Sequence, residues 1–160
     1  MNGFTGKYKA TIDDKGRVVL PAAFKKDMGE HALEPVVIEQ NFFKECLDVY
    51  PEKLWIERET AFKDMLDSFD EDDDSLLQFF YENFKKVGMA PNGRINIPSE
   101  YISYGDLTST VVMIGMGNYI RIWNAAAYEG LKMDRTTFMN KFREKREKLK
   151  ANNEKKENDK

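Results

Sequence analysis

A ten-residue pattern occurs twice in this chain. IDDKGRVVLP, residues 12–21, returns as MAPNGRINIP, residues 89–98, so that Gly16, Arg17 and Pro21 match Gly93, Arg94 and Pro98 at one offset of 77. The surroundings repeat as well. Ahead of the first copy, Tyr8, Ala10 and Ile12 alternate with Lys7, Lys9 and Thr11, which is the period of a strand. Each glycine permits the positive φ of a tight turn. RVVL and RINI are short strands, and each following proline suits the first turn of a helix, PAAFKKDMG in one copy and PSEYISYG in the other. Two strands then follow each helix: PVVIEQ and CLDVY, and later TVVMIGMG and YIRIW. The order β-β-α-β-β repeated only twice is too short for a solenoid. Two such units must bury their strands against each other, in one shared α+β core.

The rest of the chain is helical in pattern. From Pro51, residues Trp55, Phe62, Leu66 and Phe69 recur at helical spacing. SLLQFFYENFKK follows, with Leu76, Phe80 and Phe84 four apart, acids before it and Lys85 and Lys86 at the end that suits cations. Phe138, Phe142 and Leu149 form a thin apolar seam near the C-terminus. The expected organisation is a first unit at 7–53, a helical connector at 54–83, a second unit at 84–126, C-terminal helices at 127–150 and a disordered tail at 151–160.

Composition excludes several classes. Of 160 residues 41% are apolar, yet no run approaches the roughly 20 residues that span a bilayer, and no apolar stretch of a signal peptide opens the chain. One cysteine, Cys46, allows no internal disulfide framework and fits a reducing, cytoplasmic setting without membrane partners. A single histidine, His31, supports no paired-histidine metal site, and no phosphate-binding glycine motif is present. Asp70, Asp72 and Asp74 fit the odd positions of a calcium loop, but Ser75 and Tyr81 stand where glycine and glutamate are needed. No cofactor or metal and no enzymatic activity are expected.

Charge is segregated. The net charge is −3, but residues 1–29 hold Lys7, Lys9, Lys15, Arg17, Lys25 and Lys26 against Asp13, Asp14 and Asp27, while FDEDDDS at 69–75 is acidic. Such a field aims one face at a polyanion. Asp13 and Arg17 could simply pair across a tight turn, a contact worth ~0–1 kcal/mol at a surface. Alternatively, Lys15 and Arg17 at the turn, with Lys9, Lys25 and Lys26, could contact phosphates and reach a groove of double-stranded DNA.

The opening FTGKYKATIDDKGRVVLPAAFKKDM, with its Asp-x-x-x-Arg at Asp13–Arg17 followed by an apolar run and proline, resembles the MraZ family of bacterial transcriptional regulators. GRINIP and YIRIWNAAAY are similar to that family's second unit, and the likeness spans residues 4 to about 130. The resemblance implies two AbrB-like swapped-hairpin units in one pseudo-twofold, β-barrel-like core. It also implies ring-like homo-oligomers, and binding to short direct repeats upstream of a cell-division and cell-wall gene cluster. Repression is what the family suggests, with the protein nucleoid-associated. The residues carried over for DNA contact are Lys15, Arg17, Lys25 and Lys26; Asp13 would orient the loop with Gly16. Ala90 and Asn92 depart from the pattern in the second copy, which leaves Arg94 the weaker candidate. The other reading is a structural or protein-interaction oligomer that uses its acidic helical surface.

Overall fold

A computed structural model describes residues 2–159. β1 (Lys7–Thr11) and β2 (Arg17–Val19) flank the first turn, α1 (Ala22–Met28) follows, and β3 (Val36–Gln40) and β4 (Leu47–Pro51) form a hairpin. α2 (Glu52–Asp64) and α3 (Glu71–Glu82) lead to the second half. There β5 (Phe84–Val87), β6 (Arg94–Asn96), α4 (Ser99–Gly105), β7 (Thr110–Gly115) and β8 (Ile120–Asn124) repeat the order. α5 (Ala125–Leu131) and α6 (Arg135–Asn158) complete the chain. The residues form two compact units, one ending at Tyr128 and one beginning at Glu129.

In the first unit the halves exchange strands. The six-stranded antiparallel sheet runs β1-β7-β8-β4-β3-β5, so β1 lies on the second half's hairpin and β5 on the first half's. β2 and β6 pair separately as a two-stranded ribbon. The sheet is open, with β1 and β5 at its edges, so the barrel-like core of the sequence reading is a sheet capped by a ribbon. The ribbon's buried residues, Val18 and Ile95, pack with Ile38, Val49, Met113 and Ile122 of the sheet and with Phe24, Met28 and Tyr101 of the short helices. On the other sheet face, Trp55, Phe62 and Phe80 of α2 and α3 cover Val37 and Tyr50, and Phe80 stacks on Phe62 at 4.2 Å.

The repeat fixes where the pseudo-twofold passes. Asp48 in LDVY and Arg121 in IRIW are equivalent positions, and they face each other where β4 meets β8. Val18 and Ile95, equivalent at the offset of 77, face each other in the ribbon. At such an axis a self-paired repeat would oppose two identical residues. This chain opposes a carboxylate and a guanidinium: Arg121 Nε donates to Asp48 Oδ1 at 2.8 Å, and Asn41 Nδ2 donates to Asp48 Oδ2 at 3.0 Å.

Three expectations meet a different structure. Lys85 and Lys86 lie on β5, not in the last turn of a helix, because β3 has an outer edge whose backbone groups need a partner and FKKV supplies it. Phe69, expected in the apolar stripe, is 98% exposed, since α2 ends at Asp64 before reaching it. The tail expected to be disordered from 151 continues α6 to Asn158. Asp134 caps that helix by accepting from Thr137 N at 2.7 Å, and its Lys- and Glu-rich sequence propagates helix readily. The acidic run has a local task as well: Asp70 caps α3 by accepting from Asp73 N at 3.0 Å.

Candidate nucleic-acid interface

The first turn is built around one carboxylate. Asp13 Oδ1 accepts from Lys15 N at 3.0 Å and Arg17 N at 2.9 Å, while Oδ2 accepts from Arg17 Nε at 2.7 Å. The backbone donor of Arg17 is the main cause that holds this carboxyl below its ordinary value. Gly16 closes the turn at φ +83°, and a Cβ there would stand 2.5 Å from the Ile97 carbonyl oxygen. The consequence falls on Arg17. Its guanidinium is anchored at Nε, and Nη1 and Nη2 have no partner among the described residues. That leaves the terminal fork presented and its base immobilised, the geometry suited to bidentate contact with a guanine edge or a phosphate.

The second turn keeps the backbone and changes the side chains. Ala90 N donates to Arg94 O at 2.9 Å and Gly93 N to Ala90 O at 2.8 Å, mirroring Asp13 N to Arg17 O at 3.0 Å and Gly16 N to Asp13 O at 3.1 Å. Ala90 offers no carboxylate. Asn92 Oδ1 accepts from Arg94 N at 3.0 Å in its place, which satisfies the turn but leaves the exposed Arg94 guanidinium without a partner among the described residues. Arg94 therefore has a free side chain where Arg17 has a fixed one.

The basic residues separate into groups. Lys9, Arg17 and Arg94 line one open cleft of about 760 Å³ together with Asp13, Tyr8 and Val19. Lys15 is exposed at the tip of the first turn and Lys26 is exposed on α1. Lys25 is engaged elsewhere: its Nζ donates to Pro91 O at 2.7 Å, and its stem lies where a Cβ on Gly93 would come within 2.6 Å. It clamps the second turn, as Ile102 does the first by lying 2.6 Å from a Cβ on Gly16. Sequence reasoning made Arg94 the weaker candidate because Ala90 and Asn92 depart from the first copy's pattern, and it did not place Arg94 beside Arg17. The missing signal was available: short strands repeated about a twofold axis pair with their own copies, and that pairing sets the two arginines diagonally on one ribbon face.

A family model described as "MraZ protein, putative antitoxin-like" matches residues 4–80 and 85–152. A protein named transcriptional regulator MraZ from Bacteroides fragilis is 31% identical over 153 residues, 94% of this chain and 97% of that one. Proteins of the same name from Bacteroides thetaiotaomicron, 30% identical over 120 residues, and Phocaeicola vulgatus, 29% over 121, cover 75% and 76% of this chain and 77% and 79% of their own lengths.

Proposed function

The chain belongs to the MraZ family, and from that premise we propose that it is a transcriptional regulator that binds double-stranded DNA through the Lys15-Gly16-Arg17 turn. The observation that carries this reading is the anchored guanidinium of Arg17, which is oriented by Asp13 and open to solvent at its fork. Lys9 lines the same cleft, to which Arg94 adds a second, unanchored cation, and Lys15 and Lys26 supply exposed positive charge on the turn and on α1. Lys25 contributes mainly by holding the second turn. The operator consists of short direct repeats upstream of the protein's own cell-division and cell-wall gene cluster, and occupancy represses it from a nucleoid-associated, cytoplasmic pool. A ring-like homo-oligomer presents several turns at once, so each turn need contribute little, because linked sites gain by effective concentration.

The test is binding of the full chain to the duplex upstream of its own gene, against a shuffled duplex, by fluorescence anisotropy at several salt concentrations. The expected result is preference for the natural duplex and a log-log salt slope of about −0.9 per phosphate contacted. Arg17→Ala lowers affinity about 5- to 150-fold at unchanged oligomer mass, by loss of a bidentate contact worth about 1–3 kcal/mol. Equal binding of both duplexes by the unaltered protein rejects sequence-specific regulation. A second reading, a protein-interaction oligomer, draws on the exposed Met65, Phe69 and Phe79 among the acids of α2 and α3. It predicts that charge reversal of Asp72 and Asp74 changes oligomer mass and leaves DNA binding intact.

A further inference from the structure

The ribbon β2–β6 has two faces of opposite character. Val18 and Ile95 are buried, while Arg17, Val19, Arg94 and Asn96 point outward. Arg17 stands opposite Asn96, and Val19 opposite Arg94. Ile97 N donates to Gly16 O at 2.8 Å and Leu20 N to Gly93 O at 3.0 Å. The alternation of an antiparallel ladder then makes 17·96 and 19·94 the non-hydrogen-bonded pairs, with Cα atoms about 4.5 Å apart and side chains closely side by side.

Asn96 is the residue in this group that the fold does not explain. Asparagine is depleted in strands because its carboxamide competes for backbone partners. Elsewhere in the chain Asn41, Asn83, Asn92 and Asn124 each bond a backbone group. The Asn96 carboxamide is exposed, has no partner among the described residues, and lies beside the fixed Arg17. A two-stranded ribbon fits the major groove, and there asparagine bonds adenine N6 and N7 as arginine bonds guanine O6 and N7.

We infer that Asn96 is a specificity-determining residue of the DNA site, reading an adenine within one or two base pairs of the base read by Arg17. The inference rests on the DNA-binding reading and extends it to the half of the repeat that lacks the Asp-x-x-x-Arg carboxylate. Its geometric basis is the Arg17·Asn96 pair. At a base-pair spacing of about 3.4 Å, two side chains about 4.5 Å apart at their Cα atoms address neighbouring steps of one groove. Val19, two residues along β2 from Arg17 on the same face, offers methyl groups of the kind that meet a thymine methyl.

The test is selection of duplexes from a random double-stranded library by the full-length protein and by Asn96→Ala, followed by affinity measurements on the selected duplex with each position varied. The unaltered protein should select a motif with an adenine at one position. Asn96→Ala should lose about tenfold or more of the discrimination at that position alone. Its salt slope should not change, because no phosphate contact is lost. A variant that keeps the same preference at every position, or weakens all duplexes equally, overturns the inference while leaving DNA binding by Arg17 intact. No motif for the unaltered protein overturns both. Asn96 is exposed, so an unchanged melting curve serves as the folding control.

Discussion

Asp48 and Arg121 form the ion pair at the pseudo-twofold, and their perturbation tests why the two halves pair with each other. Asp48 is 3% exposed and Arg121 16% at the side chain. Asp48→Arg sets two guanidinium groups opposite each other, the arrangement that self-pairing of the second half would create. Removing one partner of a buried pair costs about 3–5 kcal/mol, because the other charge stays buried. For a chain of this size that corresponds to a fall in melting temperature of roughly 6–20 °C, at about 2–4 °C per kcal/mol. Asp48→Asn should fall in the lower part of that range, since an amide still accepts from Arg121 but carries no charge. The swap Asp48→Arg with Arg121→Asp restores opposite charges at equivalent positions. It should recover all but about 1–2 kcal/mol, the remainder being the hydrogen bonds from Asn41 Nδ2 to Asp48 and from Arg121 Nη2 to Tyr119 Oη. The assay is thermal and urea unfolding followed by circular dichroism, with all variants at one protein concentration. If Asp48→Arg is no worse than Asp48→Asn, or the swap recovers less than half of the loss, opposite charge is not what selects this pairing.

Gly16→Ala must accommodate positive φ and a Cβ 2.5 Å from a backbone oxygen, so it should lower stability by more than about 1–2 kcal/mol in urea unfolding. Gly93→Ala meets the movable Lys25 stem and should cost less. Tyr104→Phe removes hydroxyl donation to Asn41 O at 2.5 Å and Lys44 O at 3.1 Å, and should cost about 1 kcal/mol by the same measurement. Asp13→Ala should weaken DNA binding through loss of Arg17 orientation and also lower the melting temperature, because the carboxylate accepts from the backbone of Lys15 and Arg17 as well. Its folded pKa lies below the ordinary 3.8, so the anchoring is present above that value and is lost only as pH falls through the lower one. Affinity followed from about pH 8 to pH 5 should therefore show no step that Asp13→Ala removes. Lys25→Ala should lower stability and leave the salt slope of DNA binding nearly unchanged, because its ammonium is held by Pro91 O.

Much of the fold was legible because the repeat states it twice. Alternation in KYKAT, the glycine of each turn and the proline before each short helix are local signals, and local sterics enforce them wherever the chain lies. The Asp13–Arg17 contact belongs to the same class, since its partners are four residues apart. One misreading occurred where distant pairing overrode a local pattern; the other two concerned where helices end. FFYENFKK has helical spacing, but the outer edge of β3 claims Phe84–Val87 as a strand. The offset of 77 pointed to this, since FKKV aligns with KYKA of β1.

Residue order is enough to establish that there are two equivalent halves and which residues turn, cap and alternate. It also determined that only the first turn carries a carboxylate to anchor its arginine. Only the folded chain settled which strands the halves exchange, that Lys25 serves the other half's turn, and that Asp48 meets Arg121 on the axis. It also decided that Arg17, Arg94 and Asn96 share one exposed face. The physical reason is that a side chain's periodicity and its neighbours within a turn are set by backbone geometry. Which distant strand completes its hydrogen bonds is set by burying two apolar faces together, and no single stretch of sequence records that choice.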